Sequence, residues 1–118
     1  MKRAATVYVK GIPAAVITEH APAGSEGAYT LQYLPEYLEL PARQAGPVSL
    51  RLPRRAEPYV SDHLFPYLES ILPEGEFARN VAREWGMDPR DRFGLLLVLA
   101  GTDTLGDVTV KPRSTTES

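Results

Sequence analysis

Apolar and polar residues alternate with a period of two in several short stretches of the chain, and this pattern predicts β-strands. The first stretch, residues 5–9, is rich in the β-branched and aromatic residues that strands favour. After a turn at 10–13, residues 14–19 can return as the second arm of a hairpin. Beyond a Gly- and Pro-containing loop, residues 28–33 place three large apolar side chains on one side. The N-terminal third therefore predicts a mostly antiparallel β-meander.

Two further alternating stretches predict two more strands. Residues 48–52 alternate apolar and polar positions and end at Pro53, which predicts a fourth strand. Residues 107–111 alternate again near the end of the chain and predict the last strand. Between the third and fourth strands, Pro35 is placed to start a single helical turn over 35–38, since its fixed φ suits a first helical position.

Between residues 61 and 86 the period lengthens to that of an α-helix, and the pattern predicts two short amphipathic helices joined by a hinge. Ser61 or Asp62 is placed to cap the first helix. Pro73 cannot continue that helix, and Gly75 permits a turn, so the hinge is expected at 72–75. The apolar face of the first helix is predicted to contain Leu64, Phe65, Leu68, Ile71 and Leu72. The face of the second is predicted to contain Phe77, Val81 and Trp85.

A third helix is predicted after Gly86, which occupies the position where a left-handed residue ends a helix. Asp88 and Pro89 then supply an N-cap and a first helical residue, and Asp91 suits the first turn. Residues 93–100 are apolar on almost every side, which indicates a buried helix. The order of strands, three C-terminal helices and a final strand predicts an α+β fold, with the helices on one face of a mostly antiparallel sheet.

Length, charge and composition limit the function classes. At 118 residues with a net charge of −2, the chain is expected to be a single domain without strong direct nucleic-acid binding. It has no cysteine, which excludes disulfides and thiolate chemistry and is compatible with a cytoplasmic protein. The N-terminal apolar stretch is too short and interrupted for a signal peptide or membrane span.

Residues that could carry catalysis do not form a recognisable set. The loop 101–107 has glycines at the ends of a six-residue window, but Asp107 and Val108 follow where a phosphate-binding loop needs Lys and Ser or Thr. His20 and His63 have no metal-ligand spacing. We therefore expect no catalytic, cofactor-binding or metal-binding residues. A small enzyme of another kind stays open if a pocket holds titratable groups with perturbed pKa values.

An ordered set of short segments resembles the N-terminal subdomain of the HipA-type serine/threonine kinases, which are bacterial toxins. Arg79 in the second helix is part of this match, and the strand-like and hinge segments occur in the family's order. The segments are 7–9, 33–38, 48–53, 65–75 and 106–110. On this basis we expect residues 1–112 to form one domain of that type and residues 113–118 a flexible polar tail.

The resemblance implies a function without catalysis. A separate chain of this size resembles the HipS antitoxins of HipBST-type toxin–antitoxin systems, which act on a short HipA-like kinase (HipT). The resemblance therefore implies a cytoplasmic kinase inhibitor with that kinase as its partner and a HipB-like DNA-binding protein as a further partner in a ternary complex. The alternative is an N-terminal subdomain fragment of a full-length HipA-like kinase. No membrane partner is expected.

Exposed aromatic residues and prolines beside a rigid hinge are suited to partner binding, since they bury large areas at low entropic cost. For Phe65 and Trp85 packing in the protein's own core is the favoured alternative, because both lie on apolar helical faces. Arg54 and Arg55 belong to a small basic cluster that can either solubilise a loop or contact an acidic partner or DNA phosphate. The candidate partner-binding residues are Phe65, Tyr67, Pro73, Glu74, Gly75, Trp85, Arg54 and Arg55.

Overall fold

The computed structural model describes residues 3–70, 72, 74–99 and 108–113, without the side chain of Leu99. The predicted positions of Ile71, Pro73, Ala100 and loop 101–107 lie outside these residues. In chain order the elements are β1 (Arg3–Val9), β2 (Ile12–Glu19), β3 (Tyr29–Tyr33), α1 (Pro35–Leu38), β4 (Tyr59–Ser61), α2 (Pro66–Ser70), α3 (Gly75–Trp85), α4 (Arg92–Leu99) and β5 (Val108–Arg113).

The five strands form one open antiparallel sheet in the order β4-β3-β2-β1-β5. The chain returns at its end to place β5 beside β1, with Val110 opposite Val7. A two-residue turn joins β1 to β2, and both of its residues, Lys10 and Gly11, have positive φ angles. Such a turn matches the right-handed twist of a hairpin. The predicted α+β class and meander are confirmed.

One face of the sheet forms the core. Fully buried side chains from the central strands lie there in register, with Ile17 between Ala5 and Leu31. Two aromatic contacts join helices to this face of the sheet. Tyr37 of α1 lies parallel to Tyr33 with ring centroids 6.1 Å apart, and Phe93 of α4 lies 6.0 Å from Tyr29. The sheet thus positions the helices through its tyrosines.

The predicted strand at 48–52 is wrong. Residues 49 and 52 form an isolated antiparallel bridge, and the Leu52 N–H donates to the Ser49 carbonyl, so the segment is a tight turn. The strand at this edge of the sheet is instead β4, Tyr59–Ser61, which pairs with β3. Val48 and Leu52 are buried, and this is why the segment shows apolar alternation without pairing in the sheet.

The helices agree with the predicted order but differ at their starts. α2 begins at Pro66, so neither Ser61 nor Asp62 caps it: Ser61 lies in β4, and an Asp62 carboxylate oxygen accepts from the Gly27 N–H. α3 ends, as predicted, at Gly86 in the left-handed conformation.

α4 begins at Arg92 rather than at Pro89. Asp91 precedes its first residue, and Asp91 Oδ1 accepts from the Gly94 N–H at 3.0 Å, which is the geometry of an N-cap. Asp88 instead accepts from the Arg90 N–H in the turn before the helix. At the other end of the described chain, β5 runs beyond the predicted strand through Pro112 and Arg113.

Candidate protein-binding surface

Arg54 is part of the framework. Its guanidinium donates to a ring of backbone carbonyls at the end of α1 and in the following loop, at 2.7–3.2 Å, and lies 5.6 Å from the centre of the Tyr37 ring. The carbonyl acceptors belong to Tyr37, Leu38, Leu40 and Ala45. A cation at the C-terminal end of a helix satisfies carbonyls that lack an intrahelical partner. Arg54 therefore holds a loop in place, and its guanidinium is committed to these contacts.

Arg55 points the other way and is exposed. Its guanidinium stacks 3.7 Å from the centre of the Tyr59 ring and donates to the carbonyls of Glu57 and Pro58. The two neighbouring arginines thus differ in role. Arg54 fixes the backbone, and Arg55 presents a positive charge to solvent.

The two aromatic candidates from the first predicted amphipathic helix, Phe65 and Tyr67, differ in exposure. Phe65 is only 5% exposed and belongs to the main core, so the core-packing alternative is the correct one for this residue. Tyr67 is half-buried on α2, and it lines two adjacent surface grooves. Of this pair, only Tyr67 can contact a partner.

The predicted apolar face of α3 is wrong in part. Its buried side consists of Ala78, Val81 and Ala82, whereas Phe77 and Trp85 are 63% and 62% exposed. The buried residues of α3 are small, so they cover little of the helix surface. The two large aromatic side chains lie outside that contact, and the sequence period alone overestimated the buried face.

At the hinge, Gly75 has a φ of +62°, a conformation that costs little only for glycine. Glu74 precedes α3 in extended conformation, and its exposed side chain makes no capping hydrogen bond. Pro73 lies outside the described residues. The part of the hinge that the structure describes therefore supplies a glycine in left-handed conformation and one exposed carboxylate.

Leu50, the most exposed large apolar residue of the part of the chain that the structure describes, was not among the predicted candidates. It is 92% exposed at the tip of residues 47–52, which we call the Leu50 turn. The Tyr33 hydroxyl accepts from the Val48 N–H at 2.8 Å and donates to the Leu52 carbonyl, so both ends of the turn are anchored to the sheet. Pro47 and Pro53 flank the segment, and they were the available signal that it could not form a central strand.

A polar cleft of about 680 Å³ lies at the other end of the sheet and contains several titratable groups. Arg3 donates two hydrogen bonds to Asp91 at 2.9 and 3.0 Å and one to Glu19 at 2.7 Å, and the buried Tyr29 hydroxyl donates to Glu19 at 2.7 Å. Arg92 of α4, which also lines the cleft, donates to Glu69 at 2.9 Å. The network ties β1 and β2 to α4, and α4 to α2.

The pKa shifts in this cleft are those of locked ion pairs. The hydrogen bonds from Arg3 lower the pKa of Asp91, and the same bonds raise the pKa of Arg3. Burial, helped by the hydrogen bond to Glu19, raises the pKa of Tyr29. A general acid or base needs a pKa moved towards neutrality. These groups move away from it, so the cleft fits a structural clamp better than an acid–base site.

Histidines and acidic residues of the described chain do not assemble a metal site. Among residues 3–70, 72, 74–99 and 108–113, no group of three His, Asp or Glu side chains is placed to hold an ion. His20 instead shares a 2.9 Å hydrogen bond with Thr30. In the same described ranges, none of the helices is long and apolar enough to cross a membrane.

A family model, a protein sequence and a solved structure are similar to this chain. The model of the HipA N-terminal domain family matches residues 5–111. An uncharacterized protein of Haemophilus influenzae is 35% identical over 83 residues, which make up 70% of this chain and 72% of that protein. A solved structure described as the N-terminal domain of HipA toxin has a TM-score of 0.64 and 25% identity, covering 96% of this chain and 94% of that one.

Proposed function

Since the chain belongs to the HipA N-terminal domain family, as its match over residues 5–111 shows, we propose that it is a non-enzymatic antitoxin. In this proposal it binds a short HipA-like serine/threonine kinase in the cytoplasm of a bacterium and keeps that kinase inactive. A HipB-like DNA-binding protein is the further member of a ternary complex.

The observation that carries the proposal is the extent of the family match. The match spans residues 5–111, and the described fold is that of a HipA N-terminal domain. The relative from Haemophilus influenzae supports the proposal through its length. Its aligned 83 residues are 72% of its length, so that protein is also about as short as this chain.

The exposed surface suits docking rather than chemistry. Trp85 and Phe77 project from α3, and a rigid helix that presents aromatic side chains can anchor an interface at low entropic cost. Gly75 has a positive φ at the start of α3, so the chain can turn sharply into the helix that carries these aromatic side chains. Glu74 completes the surface near the hinge that we assign to the kinase.

Inhibition by such a surface needs only a difference in affinity. A protein that binds the inactive state of the kinase more tightly than the active state shifts the population towards the inactive one. A difference of about 3 kcal/mol changes the ratio of the two states by more than a hundredfold. No residue of the antitoxin has to take part in a reaction.

The likeness to the N-terminal domain of a HipA toxin favours a second candidate function. In it the chain is the N-terminal subdomain of a full-length HipA-like kinase and acts within that polypeptide. A reading frame that continues past Ser118 into kinase motifs would establish this alternative.

Coexpression tests the proposal. We expect the protein to restore growth to cells that express the neighbouring short HipA-like kinase, and to copurify with that kinase through a tag on either protein. Growth arrest that is unchanged by coexpression, with no association at micromolar concentration, would refute it. A substitution at a buried position, Phe65→Asp, is the folding control, because it should abolish rescue by unfolding the protein.

A further inference from the structure

The Leu50 turn presents an apolar side chain in a fixed position. Leu50 is 92% exposed, and the two apolar residues on either side of it within the turn, Val48 and Leu52, are buried. The backbone between them is closed by the Leu52–Ser49 hydrogen bond and held from below by the Tyr33 hydroxyl. An exposed leucine on such a support loses little conformational freedom when it enters a pocket of another molecule.

Two grooves flank this turn, and both are positively charged. The first, of about 760 Å³, is lined by Leu50, Arg51 and Tyr67 with neighbouring residues of the turn. The second, of about 420 Å³, is lined by Lys10 and Arg43, and it shares Tyr67 with the first. Among the described residues that line the two grooves, none is Asp or Glu.

This local charge contrasts with the rest of the molecule. The chain carries a net charge of −2, and the cleft at the other end of the sheet pairs its arginines with carboxylates. In the described chain, Lys10, Arg43 and Arg51 have no carboxylate within salt-bridge distance. Arg51 beside the exposed leucine, and Lys10 and Arg43 on the adjoining groove, are complementary to an apolar pocket bordered by carboxylates.

We propose that Leu50, with Arg51 and Tyr67 of its own groove and Lys10 and Arg43 of the adjoining one, is a second docking surface, which inserts Leu50 into an apolar pocket with an acidic rim on the kinase. We call it the Leu50 surface. This inference rests on the proposed function, because it names the chemistry of the same partner. The leucine supplies the anchor, and the three cations steer the encounter and fix the orientation.

A basic groove can also bind the phosphates of a nucleic acid. The structure favours a protein partner over a nucleic acid. The centre of the surface is a leucine, which has no favourable contact with a phosphate, whereas phosphate-binding surfaces use polar and cationic groups. The three cations also neutralise few phosphates, and the chain as a whole is acidic.

Two variants separate the anchor from the charges. Leu50→Ala removes the exposed side chain from a turn whose anchors are elsewhere, so we expect the fold to be unchanged. Arg43→Glu/Arg51→Glu reverses both charges of exposed residues. The matched control is Lys111→Glu/Arg113→Glu, which makes the same change in net charge at exposed positions of β5, outside both grooves.

Binding of each variant to the purified kinase is measured at low and at moderate salt. We expect Leu50→Ala to weaken binding about tenfold or more, as for an interface anchor. We expect Arg43→Glu/Arg51→Glu to slow association, mainly at low salt, and the β5 control to bind like the wild type.

The possible failures are distinguishable. Wild-type protein that does not bind the kinase overturns the proposed function, and this inference with it. Wild-type binding that Leu50→Ala and Arg43→Glu/Arg51→Glu leave unchanged overturns the inference alone. Micromolar binding to a random-sequence DNA duplex that is lost in Arg43→Glu/Arg51→Glu but retained in Leu50→Ala also overturns it, because the surface would then recognise phosphate.

Discussion

Replacing Arg54 tests whether this residue holds the fold together or contacts a partner. Its two terminal nitrogens donate to four carbonyl oxygens at 2.7–3.2 Å. Three of these bonds share one nitrogen, so we count about three effective hydrogen bonds rather than four. A hydrogen bond to a charged group contributes about 1.5–3 kcal/mol in a protein. Water can replace part of this network, because Arg54 is only half-buried.

We therefore expect Arg54→Ala to lower the free energy of unfolding by about 2–4 kcal/mol. For a domain of this size the corresponding decrease in Tm is roughly 8–16 °C. Arg54→Lys should recover about half of the loss, because an ammonium keeps the charge but cannot span the same carbonyls. Urea unfolding followed by circular dichroism measures both variants, and the slope of the transition should not change.

Arg55→Ala is the matched control for Arg54. It removes an exposed arginine that stacks on Tyr59, which should cost at most about 1 kcal/mol. Equal and small losses for the two alanine variants would refute the assignment of Arg54 to the framework. The same result would restore it as a candidate for partner binding.

Three further predictions concern the helices. Gly86→Ala should lower the free energy of unfolding in urea by about 1 kcal/mol, because Gly86 has a φ of +66°. Gly46→Ala is its control and should be neutral or slightly stabilising, because Gly46 has no positive φ and open space where a Cβ would lie. Equal effects of the two substitutions would contradict this explanation. Asp91→Asn keeps the helix cap but removes the charge, and since Arg3 lowers the pKa of Asp91, the wild type should be more stable by about 1 kcal/mol at pH 7. The extra stability of the wild type is present above the ordinary pKa of 3.8 and is lost as the pH falls through the folded-state pKa of Asp91, so the urea midpoints of the two proteins should converge in acid. A difference between the midpoints that does not depend on pH would contradict the ion pair. The single tryptophan, Trp85, should be readily quenched by iodide in the free protein and protected in the kinase complex; strong protection in the free protein would contradict its exposed position.

Much of the fold was predictable because local patterns determined it. One structure is strongly favoured by each of four patterns: the β-branched and aromatic residues of β1, the alternation in β3, the proline at the start of α1 and the glycine at the end of α3. The final strand was also predicted, although its place beside β1 was not, since it pairs with residues about a hundred positions away.

The errors occurred where tertiary contacts override local patterns. Residues 48–52 alternate like a strand, but their buried residues pack beneath a turn that Tyr33 holds in place. β4, by contrast, has only three residues, Tyr59–Ser61, too few to show a period. For Arg54, a polar neighbourhood in sequence concealed the carbonyl ring that only the folded chain assembles.

The candidate surface was predicted less well than the fold. A helical period does not indicate how much of a helix surface is buried. In α3 only small residues pack against the rest of the protein, and Trp85 stays exposed. Leu50 was missed because an apolar residue between two buried ones looks like part of a core segment. Exposure of this kind depends on the turn, which the sequence alone did not reveal.

The phosphorylation activity of the kinase, measured while this protein is titrated into it, tests the central claim most directly. If the protein is an antitoxin of the proposed kind, the rate of phosphate transfer should fall in proportion to the complex formed and approach zero at saturation. The Leu50→Ala variant should need a concentration about tenfold or more higher for the same effect. Full kinase activity at a saturating concentration of the bound wild-type protein would contradict the account.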